Sequence, residues 1–336
     1  MKFIARLLLF ALLIAAAAGF GLYWWAHRPI AMESNATRVE VTIAPGSSVR
    51  AIGAQLDAAG VPLNPLMLTL LARVEGRATR LQAGTYAITP SLTPERLLDR
   101  MESGDVVRIQ FVVPEGWTFA QMRALIANHP DIKQSARAMS DAALLAAIGA
   151  DHAAAEGLFF PDTYVFTRGT TDLELFKRAY RAQQKRLDDA WAGRAPDLPF
   201  ATPYEALILA SIVEKETGRA EDRPQVAAVF VNRLKRGMLL QTDPTVIYGM
   251  GARFDGNLHK ADLIADTPYN TYVRPGLPPT PIALVGAAAL TAVLNPPRSD
   301  ALYFVARGDG SSEFSGTLAD HNRAVDRYQR SGSQRP

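Results

Sequence analysis

At 336 residues, 48% of them hydrophobic and 21% charged, the chain has room for two or three domains and the composition of a globular protein. Its 36 basic and 33 acidic residues leave a net charge of +3 with no dense basic block, so nothing points to nucleic acid as a partner. Lack of cysteine excludes disulfides, thiolate catalysis and Cys-ligated metals; the five scattered histidines form no H-E-x-x-H or H-x-H pair, so no metal or other cofactor is expected.

Leu7 to Ala26 is an uninterrupted run of twenty uncharged residues, enough to cross a hydrocarbon core of about 30 Å. Lys2 and Arg6 precede it, and Tyr23, Trp24 and Trp25 close it as an interfacial belt. The small residues Ala15 to Ala18 would suit a cleaved signal, but the run is longer than a signal core of roughly 7–15 residues and ends in bulky aromatics. Residues 1–28 are therefore expected to be an uncleaved transmembrane anchor with its N-terminus inside, although His27 and Arg28 weaken the charge asymmetry. Everything beyond would then lie outside the cytoplasm, in a bacterium in the periplasm or cell wall.

Residues 29–38 have the composition of a polar linker. Val39–Ile43 alternates like a strand; Ser48 or Ser47 then caps a helix through Leu56, and Asn64-Pro65 opens another through Val74. Leu81–Thr89 is predicted as a returning strand, Thr93-Pro94 starts a helix ending at Gly104, and Val106–Val113 is a further strand. Strand, two helices, strand is the order of a LysM-like β-α-α-β carbohydrate-binding unit, expected with its adjoining strand over 39–115. A connecting helical region spans 116–199, with helices at Thr118–Ala127, Ser140–Ile148 and Leu173–Trp191. Within it, Glu156-Gly-Leu-Phe-Phe-Pro-Asp-Thr-Tyr164 has the character of an ordered loop, on its pattern a hydrophobic plug.

The last region, 200–336, opens with Thr202–Gly218. Thr202 caps, Pro203 suits the first turn, Glu205 completes a T-x-x-E capping box, and Gly218 is placed to end the helix in the left-handed conformation. At about 100° per residue, Leu209, Ile212, Val213 and Glu216 share a stripe, while Glu214 lies roughly opposite, near Leu207 and Ser211. A carboxylate on an apolar stripe must be paired, protonated or used, and desolvation raises its pKa toward what a general acid needs. Pro224–Arg236 is a helix with Arg233 near its end, a position where an arginine is either solvated or paired with a carboxylate. Thr245–Tyr248 is strand-like or a short helix, Pro281 starts a buried helix to Leu294, and Leu302–Val305 turns through Gly308-Asp-Gly310 into Ser312–Ser315. Thr317 caps a terminal helix on which His321 is expected to be exposed.

Neutral hydrogen-bonding and aromatic side chains gather after the glutamate helix: Gln241, Thr242, Asp243, Tyr248, Tyr269, Asn270, Thr271 and Tyr272. Such a set suits a sugar chain, whose hydroxyls need donors and acceptors and whose C–H faces stack on rings. Asp243 could stabilise developing positive charge, or simply cap an Asp-Pro turn. No phosphate loop, dinucleotide fingerprint or nucleophile elbow is present.

Several blocks together resemble the endolytic murein transglycosylases, the MltG or YceG-like family: Ala210–Thr217, Val231–Leu234, Leu240–Gly249, Tyr269–Tyr272 and Gly276–Pro279, joined by Glu156–Tyr164 and Leu302–Val305. The resemblance implies an α+β protein: a transmembrane helix, the small LysM-like domain, and a mainly helical lytic-transglycosylase domain with a small β element. It implies a lyase that cleaves the β-1,4 bond between N-acetylmuramic acid and N-acetylglucosamine inside nascent peptidoglycan strands, leaving 1,6-anhydro ends and limiting glycan elongation. Peptidoglycan synthases are conceivable partners. Related enzymes carry Glu followed by a small hydroxyl residue, which Glu216-Thr217 matches and Glu214-Lys215 does not. Glu216 is thus the expected acid/base, and Glu214, Gln241, Thr242, Asp243, Tyr248, Tyr269, Asn270 and Tyr272 are supporting or substrate-binding candidates. The rival readings are a hydrolase on the same polymer and a catalytically silent glycan-binding scaffold.

Overall fold

Residues 2–32 and 37–330 are described by the computed structural model; four residues of the expected linker and the last six of the expected catalytic region lie outside them. The chain divides into two units, Met1–Gln110 with Val165–Gly169, and Phe111–Tyr164 with Thr170–Pro336.

The first unit begins with α1 (Lys2–Ala26), whose Phe3–Ala26 segment has a mean hydropathy of 2.3 and is long and apolar enough to cross a membrane. Then follow β1 (Val39–Ile43), α2 (Val49–Ala58), α3 (Pro65–Val74), β2 (Gly84–Ile88) and α4 (Pro94–Ser103). Side-chain oxygens of Ser48, Asn64 and Thr93 cap the three short helices as their sequence dictates, and Gly104 closes α4 in the left-handed conformation. β1 and β2 pair antiparallel, Val39 opposite Ile88 and Ile43 opposite Gly84. Ile43, Leu56, Leu68, Tyr86, Leu97 and Met101 fill the core between sheet and helices.

Leu22, Ala26 and Ile30 belong to that same core. Ile30 N–H donates to Leu92 O at 2.9 Å, and His27 Nε2 lies 2.9 Å from a Glu95 carboxylate oxygen. The beginning of the segment expected to be a polar linker is therefore packed, because its two large apolar residues, Ile30 and Met32, find places against the core.

β3 (Arg108–Val112) and β4 (Thr163–Thr167) form a two-stranded sheet. β4 takes in the last two residues, Thr163 and Tyr164, of the stretch Glu156–Tyr164 that its Phe-Phe-Pro-Asp pattern marks as loop; the irregular part ends at Asp162, and the alternating Thr163–Thr167 is extended.

The second unit is mainly helical: α5 (Phe119–Ala127), α6 (Asp141–Ile148), α7 (Asp172–Ala192), α8 (Pro203–Glu216), α9 (Arg223–Lys235), α10 (Asp243–Met250), α11 (Lys260–Ile264), α12 (Ala287–Leu294) and α13 (Leu318–Val325), with the hairpin β5 (Tyr303–Ala306) and β6 (Ser312–Ser315). α8 is its central element and packs against α7, α9, α10 and α12. All of Ala206–Val213 is buried, so the helix has no polar face over these two turns.

Three details of the sequence reading change here. α8 stops at Glu216 with Thr217 extended (φ −143°, ψ 126°), and Gly218 is not left-handed, so chain direction rather than a glycine cap ends the helix. The capping box is half made: Thr202 Oγ1 accepts Glu205 N–H, but the Glu205 carboxylate turns to Ala201 N–H. Pro281–Gly286 is irregular rather than helical, because its backbone is committed elsewhere. Ile282 N–H donates to Ser211 Oγ at 2.9 Å, Leu284 exchanges bonds with Gly116 and Trp117, and Gly286 N–H donates to Glu214.

Candidate active site

Two glutamates leave the last turn of α8 in different directions. Glu216, half-buried, lines a cavity of about 630 Å³ together with Arg233, Gln241, Asp243, Tyr272 and Tyr303. Its Oε1 accepts a hydrogen bond from the Thr242 hydroxyl. Burial raises its pKa above the ordinary glutamate value; the Thr242 hydroxyl opposes this, the neighbouring Asp243 carboxylate adds to it, and the Arg233 cation pulls it back.

Glu214 has a side chain only 5% exposed and does not line that cavity. Its Oε2 accepts Gly286 N–H at 2.9 Å at the start of α12, and its Oε1 lies 3.9 Å from Arg223. Burial raises its pKa as well, against the Gly286 bond, with Glu115 adding and Arg223 and Lys215 opposing. A Cβ at Gly286 would meet Glu115 Oε1 at 1.9 Å, so a larger residue there would displace the exposed Glu115 side chain. The periodicity argument set Glu216 on the apolar stripe and Glu214 on the other side, but both sides of α8 are buried and Glu214 is deeply enclosed. Direction into a cavity, not burial of a face, separates the two.

Thr242 reaches Glu216 from a buried hydroxyl network. Its N–H donates to Thr271 Oγ1 at 3.2 Å, its carbonyl accepts Thr245 Oγ1 at 2.8 Å, and Thr245 and Thr271 hydroxyls are 2.9 Å apart. Gln241 sits at φ 51°, an unusual conformation for a side-chain-bearing residue, and its N–H donates to Thr271 O at 3.0 Å. Tyr272 OH donates to Asp243 Oδ1 at 2.6 Å, fixing that carboxylate at the N-terminus of α10, where the helix dipole favours a negative charge. The segment read as strand-like or short helical is this helix, started by Asp243-Pro244.

The other candidates divide. Asn270 is fully buried and structural: its Nδ2 donates to the carbonyls of Asp262, Leu263 and Ala265, and its Oδ1 accepts Tyr272 N–H at 2.9 Å. Tyr269 OH bonds Thr280 Oγ1 at 2.8 Å, and its ring meets Tyr248 edge-on at 5.0 Å. Tyr248 borders a different cavity, of about 780 Å³, with Thr118, Gln121, Lys215 and Ile282.

Three features of these cavities are not set by the local sequence. Arg233 is buried rather than solvated; Nε donates to Leu302 O at 2.7 Å and Nη1 to Leu240 O at 2.8 Å, with its guanidinium 5.2 Å from the Tyr303 ring centre. Burial lowers its pKa, while Tyr303, Tyr272 and Glu216 raise it, and its positive charge acts on Glu216. His321 is half-buried, lines the cavity and stacks on Tyr303 at 5.2 Å, because α13 folds back over the β5–β6 hairpin. Glu156, in the loop read as a plug, is a buried carboxyl on the second cavity. It accepts Phe119 N–H at 2.9 Å and Tyr248 OH at 3.2 Å. Burial pushes its pKa up to about 7 against those two bonds. The plug reading also holds for Leu158, Phe159 and Phe160, all buried, with Phe159 stacked on Phe119 at 4.8 Å. Gly157 (φ 77°) lets the loop pass Pro281, whose Cβ would stand 2.4 Å from an added Cβ.

Comparison with known proteins gives a consistent set of relatives. Residues 41–327 match the model of the YceG-like family. A protein of Bacillus subtilis (strain 168) named endolytic murein transglycosylase is 32% identical over 317 residues, covering 89% of this chain and 87% of its own length. A protein of the same name from Streptococcus pneumoniae serotype 2 (strain D39 / NCTC 7466) is 30% identical over 96% of this chain and 64% of its own length. A crystal structure of a YceG-like protein from Listeria monocytogenes superposes with a TM-score of 0.53 at 30% identity, covering 85% of this chain and 98% of that one.

Proposed function

This chain belongs to the YceG-like family, and on that premise we propose that it is an endolytic murein transglycosylase in which Glu216 is the single acid and base. The observation that carries the assignment is the placement of Glu216: a carboxyl of raised pKa on the wall of a cavity whose other polar groups are Gln241, Asp243, Tyr272 and Arg233.

The chemistry follows from one carboxyl group. Protonated Glu216 gives its proton to the glycosidic oxygen between N-acetylmuramic acid and N-acetylglucosamine as the C1–O bond breaks. The resulting carboxylate takes the proton of the muramoyl 6-hydroxyl as that oxygen bonds to C1, closing a 1,6-anhydro ring. No water is consumed, and the acid is restored. An ordinary glycosidase needs a second carboxylate, as nucleophile or as base for water; here the substrate carries its own nucleophile. Asp243, held by Tyr272, places negative charge where the sugar ring becomes positive. Arg233 opposes the burial that raises the Glu216 pKa.

The apolar α1 serves as a single-pass anchor in the bacterial inner membrane, the catalytic portion lying on the periplasmic side. The β1-α2-α3-β2 arrangement supports a LysM-like role in holding glycan, and cleavage within nascent strands would limit elongation by synthases. Asp243 also supports a second reading, activation of water by a second carboxylate in the same cavity. Mass spectrometry of muropeptides released from uncrosslinked glycan separates the two: the transglycosylase product is lighter by one water than the hydrolase product. A reducing-end product from the wild type, or full activity in Glu216→Gln, overturns the assignment.

A further inference from the structure

The segment Phe3–Ala26 has 24 residues. At about 1.5 Å per residue it is roughly 36 Å long, more than the ~30 Å of a hydrocarbon core, so its last turns reach the headgroup region. Tyr23 and Trp24 are exposed there, with the Arg28 guanidinium 3.5 Å over the Trp24 ring.

The opposite side of those turns is not available to lipid. Leu22 and Ala26 are 8% and 1% exposed, packed in one cluster with Leu68, Leu71 and Ala72 of α3. α3 touches α1 directly, and neighbouring helix axes run roughly 8–10 Å apart. The headgroup layer on each side of a bilayer is about 5–7 Å thick. With α1 across the membrane, α3 therefore lies at the level of the headgroups or against them.

The outer face of α3 is apolar. Leu66, Leu70 and Val74, at i, i+4 and i+8, are 64%, 49% and 69% exposed, with exposed Arg73 beside them. Among the described residues from 27 to 110, these are the large hydrophobic side chains left exposed, all on one stripe of one helix. A glycan strand asks for hydrogen-bonding groups that this stripe lacks. An interfacial bilayer takes such a stripe, apolar side chains toward the acyl boundary and a cationic side chain at the phosphates.

We propose that Leu66, Leu70 and Val74 of α3 insert into the outer headgroup region beside α1, giving the N-terminal unit a second contact with the same membrane. This rests on α1 being the membrane anchor. The contact would hold the small β-α-α-β unit at the membrane surface instead of leaving it to swing on a linker.

The chain contains no cysteine, so single reporters can be placed without background. The full chain, reconstituted in phosphatidylcholine–phosphatidylglycerol nanodiscs, carries an environment-sensitive fluorophore at Leu66→Cys, Leu70→Cys or Val74→Cys. Leu13→Cys reports the anchor, and Lys185→Cys, a residue whose side chain is 76% exposed, reports water. Lipids bearing a nitroxide just below the headgroup are then titrated in. The expected result is quenching at all three α3 positions at least roughly twofold above the Lys185 label. Quenching at Leu13 with the α3 labels behaving like Lys185 overturns the proposal. No quenching at Leu13 overturns the anchor reading itself, and this inference with it. Shielding of α3 that rises with protein concentration and ignores the nitroxide assigns the stripe to a second protein molecule, which also overturns it.

Discussion

Glu214 and Glu216 are two residues apart in one helix turn, both desolvated, both raised in pKa, yet they meet different surroundings. Glu214 is consumed by the fold: its carboxylate satisfies the backbone N–H that begins α12 and has Arg223 at its side. Glu216 is held by a hydroxyl and faces open space. The contrast teaches that a raised pKa does not by itself mark a working acid. A usable carboxyl also needs an atom-sized gap in front of it and a partner weak enough to let the proton move.

The largest test of this contrast is Glu216→Gln. Loss of the acid/base is expected to lower glycan cleavage at least about a thousandfold, read as muropeptide release, with the thermal midpoint little changed. A comparable loss in Glu214→Gln, with Glu216→Gln active, would reverse the two roles.

Glu156 extends the comparison to a third buried carboxyl, whose titration is a stability effect. Its folded pKa, raised from 4.5 to about 7, means the native state binds its proton more tightly than the unfolded chain. The stability it contributes is present below about pH 4.5 and is lost as pH rises through about 7, by up to roughly 3 kcal/mol. Glu156→Gln, which mimics the protonated form, is expected to flatten denaturant-measured stability across that window and to gain on wild type at pH 8.

Glu214→Ala leaves Gly286 N–H without its acceptor and is expected to cost about 1–3 kcal/mol in urea unfolding while cleavage stays within a fewfold. The smallest effect belongs to Thr242→Val. Removing the hydroxyl that stabilises ionised Glu216 raises the acid's pKa, so the alkaline limb of kcat/KM is expected to move up by as much as about one pH unit. A downward shift would mean that Thr242 bonds the protonated acid instead.

Much of the fold is legible locally. Asn64-Pro65, Thr93-Pro94 and Thr118 start α3, α4 and α5 at the residues their capping chemistry names, and Val39–Ile43 alternates into β1. The failures are where the backbone bonds to distant chain. Pro281–Gly286 has a helical pattern but spends its N–H groups on Ser211, Trp117 and Glu214. In the site, Gln241, Thr242, Asp243 and Tyr272 do meet at Glu216, whereas Asn270, equally polar in sequence, is buried bonding backbone carbonyls. Arg233 and His321 show nothing unusual along the chain, because their burial comes from the β5–β6 hairpin and α13 rather than from neighbours in sequence.

The sequence by itself determined where the capped helices α2 to α5 and the strand β1 begin, the apolar first helix and the family. These rest on caps, periodicity and short-range pattern, which act within a few residues. Only the tertiary structure decided which of two glutamates meets a cavity and which meets a helix start. Their hydrogen-bond partners come from chain segments 26 and 72 residues away, and no local pattern contains them.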